Sequence, residues 1–242
     1  MAPSTLPRVL EPEVMDTAEE AADYDAMDHG GVNSAFADDV LALLGGSDTA
    51  RASMLDVGTG TALIPIAVAN RSKHVRVTGV DLAAHMLAVA KRNVEKSGLG
   101  DRVTLVHQDG KRMAWNDGSF DVVMSNSIIH HIPSPAEAIA EMWRLVRPGG
   151  HLFVRDLRRP NDEAELAALV TTYASVPDGL AAHERAMHER QRGLFEASLR
   201  ASLTRDDVET IARSVGILAS NPAYAIDLTS DRHWTLHAKK PS

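Results

Sequence analysis

The sequence predicts an α/β fold: a seven-stranded, mostly parallel sheet with helices on both faces. Three observations predict it. Short β-branched runs alternate with helical patterns, as in a sheet built from strand–helix units. The runs at 53–57, 75–80, 103–107, 120–125 and 151–156 are short and mostly apolar, as strands covered on both faces should be. Two further strand candidates, at 217–226 and 234–238, bring the count to seven.

The intervening helices carry their own signals. Ser134-Pro135-Ala136-Glu137 reads as a capping box with proline at the first helical position. Ile139, Met142, Trp143 and Val146 then form one apolar face, and Pro148-Gly149-Gly150 stops the helix. Met86, Leu87, Ala90 and Val94 form a second face, with Gly98 closing that helix. Leu166, Leu169, Val170 and Tyr173 mark another. Val208, Ile211, Ala212 and Val215 mark the last, between Thr204 and Gly216.

Two helical stretches flank the sheet-forming part. Residues 161–203 read as a helical insertion. Residues 1–50 read as an N-terminal helical lid on a domain spanning 51–242. Within the lid, Val14, Met15, Ala18, Ala22 and Met27 space an amphipathic helix, and Gly30-Gly31 breaks it. Tyr24, Met27 and Asn33 are the lid residues expected to face a ligand.

Composition narrows the function. The net charge of the 242 residues is −8, and no Lys or Arg lies between Arg8 and Arg51, which disfavours a nucleic-acid partner. There is no cysteine, so disulfides, thiolate metal sites and cysteine nucleophiles are excluded. No apolar run approaches a membrane span, so no membrane partner is expected. Residues 1–14 lack the apolar core of a signal peptide, and the expected location is cytoplasmic.

The segment that carries chemistry is Met54-Leu55-Asp56-Val57-Gly58-Thr59-Gly60-Thr61-Ala62, a strand running into a glycine turn and then a helix. Gly58 and Gly60 let the backbone turn sharply and approach a ligand. Leu63 stands where a dinucleotide fingerprint has its third glycine, and an acid, Asp56, precedes the turn. A turn flanked by acid suits a cationic ligand better than a pyrophosphate. Asp81 ends the second strand, where a carboxylate can accept ribose hydroxyls, and Asp109 follows the third.

These elements, in this order and spacing, resemble the class I (Rossmann-like) S-adenosylmethionine-dependent methyltransferases. The resemblance covers residues 53–156 well and the flanks weakly. It implies S-adenosyl-L-methionine as cofactor, with S-adenosyl-L-homocysteine as product. It implies that Asp56, Gly58, Thr59 and Gly60 cradle the methionine portion, that Asp81 and Leu82 meet the ribose, and that Asp109 and Gly110 meet the adenine. Ser125 and Asn126 then lie beside the reacting methyl. Arg147-Pro148-Gly149-Gly150 matches the family before the fifth strand. The final strand is implied to be antiparallel, at or near one edge.

The acceptor side is less determined. The Asn-Pro-Pro-Tyr type of motif is missing, which leaves a small-molecule acceptor. No acid follows the fourth strand before Glu137, so no metal ligands are read and turnover is expected to be metal-independent. His130 and His131 are the candidate catalytic residues, although such a pair can equally cap a turn. Asp156, Arg158 and His233 join Tyr24 as candidate substrate-binding residues; a solvated loop or an ion pair is the plainer account of the last clusters. A homo-oligomer is compatible with all of this. A non-catalytic methyltransferase-like subunit, a nicotinamide dehydrogenase and an aminopropyl transferase are the rival readings.

Overall fold

The computed structural model describes residues 6–11, 16–26, 30–45, 51–218 and 223–242. Its centre is a seven-stranded sheet in the order β3-β2-β1-β4-β5-β7-β6. The strands are β1 (Ala52–Val57), β2 (Val75–Asp81), β3 (Val103–His107), β4 (Phe120–Asn126), β5 (Val146–Leu157), β6 (Tyr224–Leu228) and β7 (His233–Lys239). β7 runs antiparallel to both neighbours, and β1 to β5 pair in parallel. The antiparallel strand is therefore one place in from the edge, in keeping with the sequence expectation.

Side chains alternate across the sheet with a period of two. Leu55, Val57 and Val123 face one core, built with helices α5 (Pro135–Leu145) and α8 (Arg205–Ser214). Met54, Val122 and Met124 face the other, built with α2 (Gly30–Ala42) and α3 (Leu63–Arg71). α4 (Ala84–Ser97) packs against α3 and β3 through Ala90 and Val94, and Gly98 caps it at φ 69°.

Two local readings need correction. Ser134 precedes α5, and Pro135 opens it, but the Ser134 side chain makes no capping hydrogen bond. Pro148-Gly149-Gly150 does not stop the helix. α5 ends at Leu145 and the chain is already in β5, with the Gly149 N–H donating to the Lys240 carbonyl at 2.9 Å.

After β5 the chain forms α6 (Glu163–Tyr173) and α7 (Ala182–Ala201). The N-terminal stretch divides in two. α2 buries Phe36, Ala37 and Val40 completely against the sheet, with Phe36 edge-on to Phe153 at 5.3 Å. A helix that seals one core is a wall of the fold, not a lid. α1 (Ala18–Asp25) instead packs on α4 through Ala21, Met86 and Val89, at the rim of the sheet's carboxyl end. Met27 lies outside the described residues, and Gly30-Gly31, expected to break the helix, instead open α2.

Candidate functional site

The carboxyl ends of β1, β2, β3 and β4 converge on one cleft of about 850 Å³, including its mouth. This is where ligands bind in open α/β sheets. The turn after β1 forms its floor. The Gly58 and Thr59 N–H groups both donate to the Val80 carbonyl, at 2.8 and 2.9 Å, and the Gly60 N–H donates to Asp81 Oδ2 at 2.8 Å. Asp81 Oδ1 accepts from the Ala83 N–H at 2.8 Å and so opens α4.

Two glycines explain how tightly the turn is set. Gly58 has φ 74°, and a Cβ there would lie 2.3 Å from the Ile128 side chain. Gly79, inside β2, leaves room for Thr59, whose Oγ1 would stand 2.6 Å from an added Cβ. Thr59 uses that room to donate to Asp56 Oδ2 at 2.8 Å.

Asp56 is buried beneath the floor, and its Oδ1 has no partner among the described residues. Burial raises its pKa to about 7; the Thr59 hydrogen bond opposes the rise and the nearby Asp81 charge adds to it. Burial also raises Asp81, against the hydrogen bonds it accepts. Asn126 lines the wall and has an unpartnered buried Oδ1 of its own. Tyr24, on α1, closes the rim 3.6 Å from where a Gly60 Cβ would stand. Its burial, with the Asp56 and Asp81 charges, pushes the phenol up to about 12.

Of the residues singled out from sequence, Gly58, Gly60, Asp81, Leu82, Asp109, Gly110, Asn126, Tyr24 and His131 line the cleft. Asp56 and Thr59 lie beneath it. Ser125 does not reach it: its hydroxyl donates to the Val57 carbonyl at 2.8 Å and ties β4 to β1. Arg158 is buried elsewhere, in an ion pair with Glu165 and a 2.9 Å bond to the Asp231 carbonyl, which fastens α6 to the turn before β7. His233 pairs with Ser230 at 2.8 Å on that same turn, and burial lowers it to about 4. Asn33 is on α2, away from the cleft. Lys111, Ile128, Ile132 and Met86 also line it; as ordinary loop and helix residues they carry no signal of their own.

His130 and Asp156 form a buried pair behind the wall. His130 Nδ1 lies 2.5 Å from Asp156 Oδ1, while Asp156 Oδ2 accepts from the Ile129 N–H at 2.5 Å. Burial works against both charges, but each partner outweighs it: His130 is raised and Asp156 lowered. Glu11 reaches both histidines, at 3.6 Å from His130 Nε2 and 3.2 Å from His131 Nδ1. This contact is not legible along the chain, because nothing in the spacing ties Glu11 to the turn after β4.

Comparison with known proteins agrees with this architecture. A methyltransferase domain model matches residues 55–154. The chain belongs to the class I S-adenosylmethionine-dependent methyltransferases. It is 28% identical over 191 residues to a ubiquinone biosynthesis O-methyltransferase of Aromatoleum aromaticum, covering 77% of each chain. It is 30% identical to the 27-O-demethylrifamycin SV methyltransferase of Amycolatopsis mediterranei over 63% of this chain and 56% of that one. Several other curated methyltransferases are matched over only about half their length. The fold is shared with Haemonchus contortus phosphoethanolamine N-methyltransferase 2 bound to S-adenosylhomocysteine (TM-score 0.64, 19% identity, 93% of this chain and 58% of that one). The plantazolicin methyltransferase BpumL is similar as well (TM-score 0.68, 12% identity, 92% and 90%).

The cleft of this methyltransferase suits its cofactor. A buried carboxylate oxygen on Asp56 and an amide oxygen on Asn126 await donors, and two more carboxylates, Asp81 and Asp109, flank the same opening. Such acceptors match an ammonium, a sulfonium and a ribose. Among the described residues no helix is long and apolar enough to cross a membrane.

Proposed function

We propose that this enzyme methylates a hydroxyl group on a small organic acceptor, with Asp56, Gly58, Gly60, Asp81, Asp109 and Asn126 holding the cofactor. The observation that carries the acceptor reading is the position of His131. It stands on the wall of the cofactor cleft, beside Asn126, Ser127 and Ile128, while His130 and Asp156 stand behind it.

S-adenosylmethionine, when bound, supplies an activated methyl whose sulfonium leaves without acid or metal assistance. The chain's own task is alignment and exclusion of water. A hydroxyl is a weak nucleophile and needs a base. His131 is that base in our reading, and the Asp156–His130 pair fixes the turn that carries it. Tyr24 and Ile132 line the cleft and help to exclude water. The relatives support the acceptor class, since their names specify O-methylation in ubiquinone biosynthesis and of a demethylrifamycin.

The test is a turnover screen over phenols, quinols and hydroxylated polyketides. Mass spectrometry scores products that gain one methylene, alongside release of S-adenosylhomocysteine. The expected result is a hydroxylic hit whose turnover falls at least a hundredfold in His131→Ala with cofactor affinity unchanged. Methylation confined to nitrogen or carbon acceptors would overturn the hydroxyl assignment.

A further inference from the structure

We propose that Glu11, His130 and His131 form a binding site for a divalent transition cation of the zinc type. Each offers one ligand atom, and these atoms all lie within 4.8 Å of one another. In a tetrahedral zinc site, bonds of about 2.1 Å place neighbouring ligand atoms about 3.4 Å apart. The separations here, 3.6 Å from Glu11 Oε1 to His130 Nε2 and 3.2 Å to His131 Nδ1, bracket that value.

The orientation of His130 is the second observation. Asp156 is ionised and only accepts, so the His130 Nδ1 facing it at 2.5 Å carries the proton. With Nδ1 committed to Asp156, His130 presents only Nε2 toward Glu11 Oε1, 3.6 Å away, and a cation would take that nitrogen in its deprotonated form. A carboxylate behind a histidine whose other nitrogen meets a metal is the usual outer support of zinc sites. Asp156 is itself fixed by the Ile129 and Leu157 N–H groups at 2.5 and 2.6 Å. Glu11 is set by Ser198, whose hydroxyl donates to its Oε1 at 3.0 Å. Nearby, the Arg8 guanidinium donates to the carbonyls of His130 and Ile132, at 3.2 and 3.0 Å, so the segment carrying Glu11 is anchored to the same turn.

Imidazole nitrogen and carboxylate oxygen select zinc over magnesium, which prefers oxygen alone. Three protein ligands leave a fourth position open. A cation on His131 Nδ1 leaves the ring proton on Nε2, so the imidazole can donate but no longer take a proton. Resting on the hydroxyl-methylation reading, occupancy is therefore inhibitory: zinc silences a base that works without it.

The experiment titrates zinc chloride into the metal-stripped full chain by calorimetry in a non-chelating buffer, with magnesium chloride as comparison. One zinc should bind at micromolar strength or tighter, and magnesium should not compete. Glu11→Gln and His131→Gln should each weaken binding at least tenfold. Asp156→Asn, which touches no ion, should weaken it tenfold to a hundredfold. Circular dichroism and S-adenosylhomocysteine binding confirm that each variant is folded. Absence of zinc binding, or binding of equal strength in Glu11→Gln, overturns the site. Neither measurement needs an acceptor, so failure here is separate from failure of the hydroxyl reading.

Discussion

Asp81 and Gly60 are joined by a 2.8 Å hydrogen bond in which the acid ending β2 accepts the N–H of the turn that follows β1. The same carboxylate thus braces the floor of the cleft and lines it. Charge-assisted hydrogen bonds contribute about 1.5–3 kcal/mol each. Asp81→Ala should weaken S-adenosylhomocysteine binding at least tenfold with the fold retained. Calorimetry giving unchanged affinity would remove Asp81 from the cofactor site.

Asp56 links cofactor binding to pH. Its folded pKa, about 7, lies above its ordinary 3.8 because burial opposes the charge. A raised folded pKa means that stability is fully present below about pH 4 and is lost as pH rises through 7. The loss is on the order of 4 kcal/mol at most. This carboxyl should therefore make the ligand-free protein melt lower at pH 7.5 than at pH 5, and Asp56→Asn should flatten that trend. A bound cation favours the ionised form. Calorimetry at pH 6 in buffers of different ionisation enthalpy should reveal proton release on cofactor binding, and its absence would separate Asp56 from the ligand.

Gly79 and Thr59 should be energetically coupled. Gly79→Ala drives a methyl into the Thr59 side chain, and overpacking of this kind costs about 1–3 kcal/mol. Thr59→Ala removes the obstructing hydroxyl. In the double variant, part of the Gly79→Ala loss should return, as a denaturation cycle will register. Strict additivity would mean that the contact is slack.

Tyr24 tests what remains of the lid. Tyr24→Ala should lower thermal stability modestly, because the ring packs on Ala21, Met86 and Val89, and should weaken cofactor binding severalfold with the sheet still folded. Equal affinity would confine α1 to a structural role.

Turnover should persist in excess EDTA and fall on addition of zinc. Activity lost in EDTA and restored by magnesium would contradict the metal-independent chemistry proposed above.

The sheet was legible because its signals are local. Strand-length apolar runs, Gly98 and Thr204 at helix ends, and the acids at strand ends all act within a few residues of themselves. The cofactor cleft inherits that clarity, since Asp81, Asp109 and Asn126 are placed by the strands they terminate. The misread residues are those whose partners are remote. Ser125 turned inward because the Val57 carbonyl on the next strand needed a donor. Arg158 found Glu165 on α6, and Phe36 found Phe153 in the middle of the sheet. Glu11 meets the histidines on a segment that Arg8 anchors to the Ala201, His130 and Ile132 carbonyls. Such contacts follow from packing, and spacing along the chain does not encode them.

The strap formed by residues 6–11 has a practical bearing on handling the protein. It runs between α7 and the His130–His131 turn, so a handle is poorly placed directly ahead of it. A polyhistidine handle there would bring its own imidazoles to the place where metal titrations are to be read. The other terminus is remote: Ser242 lies against Gly149, near the start of β5. That is the opposite end of the sheet, about 20 Å away for a six-residue strand. Purification sequences, fluorophores and surface tethers therefore belong after Ser242.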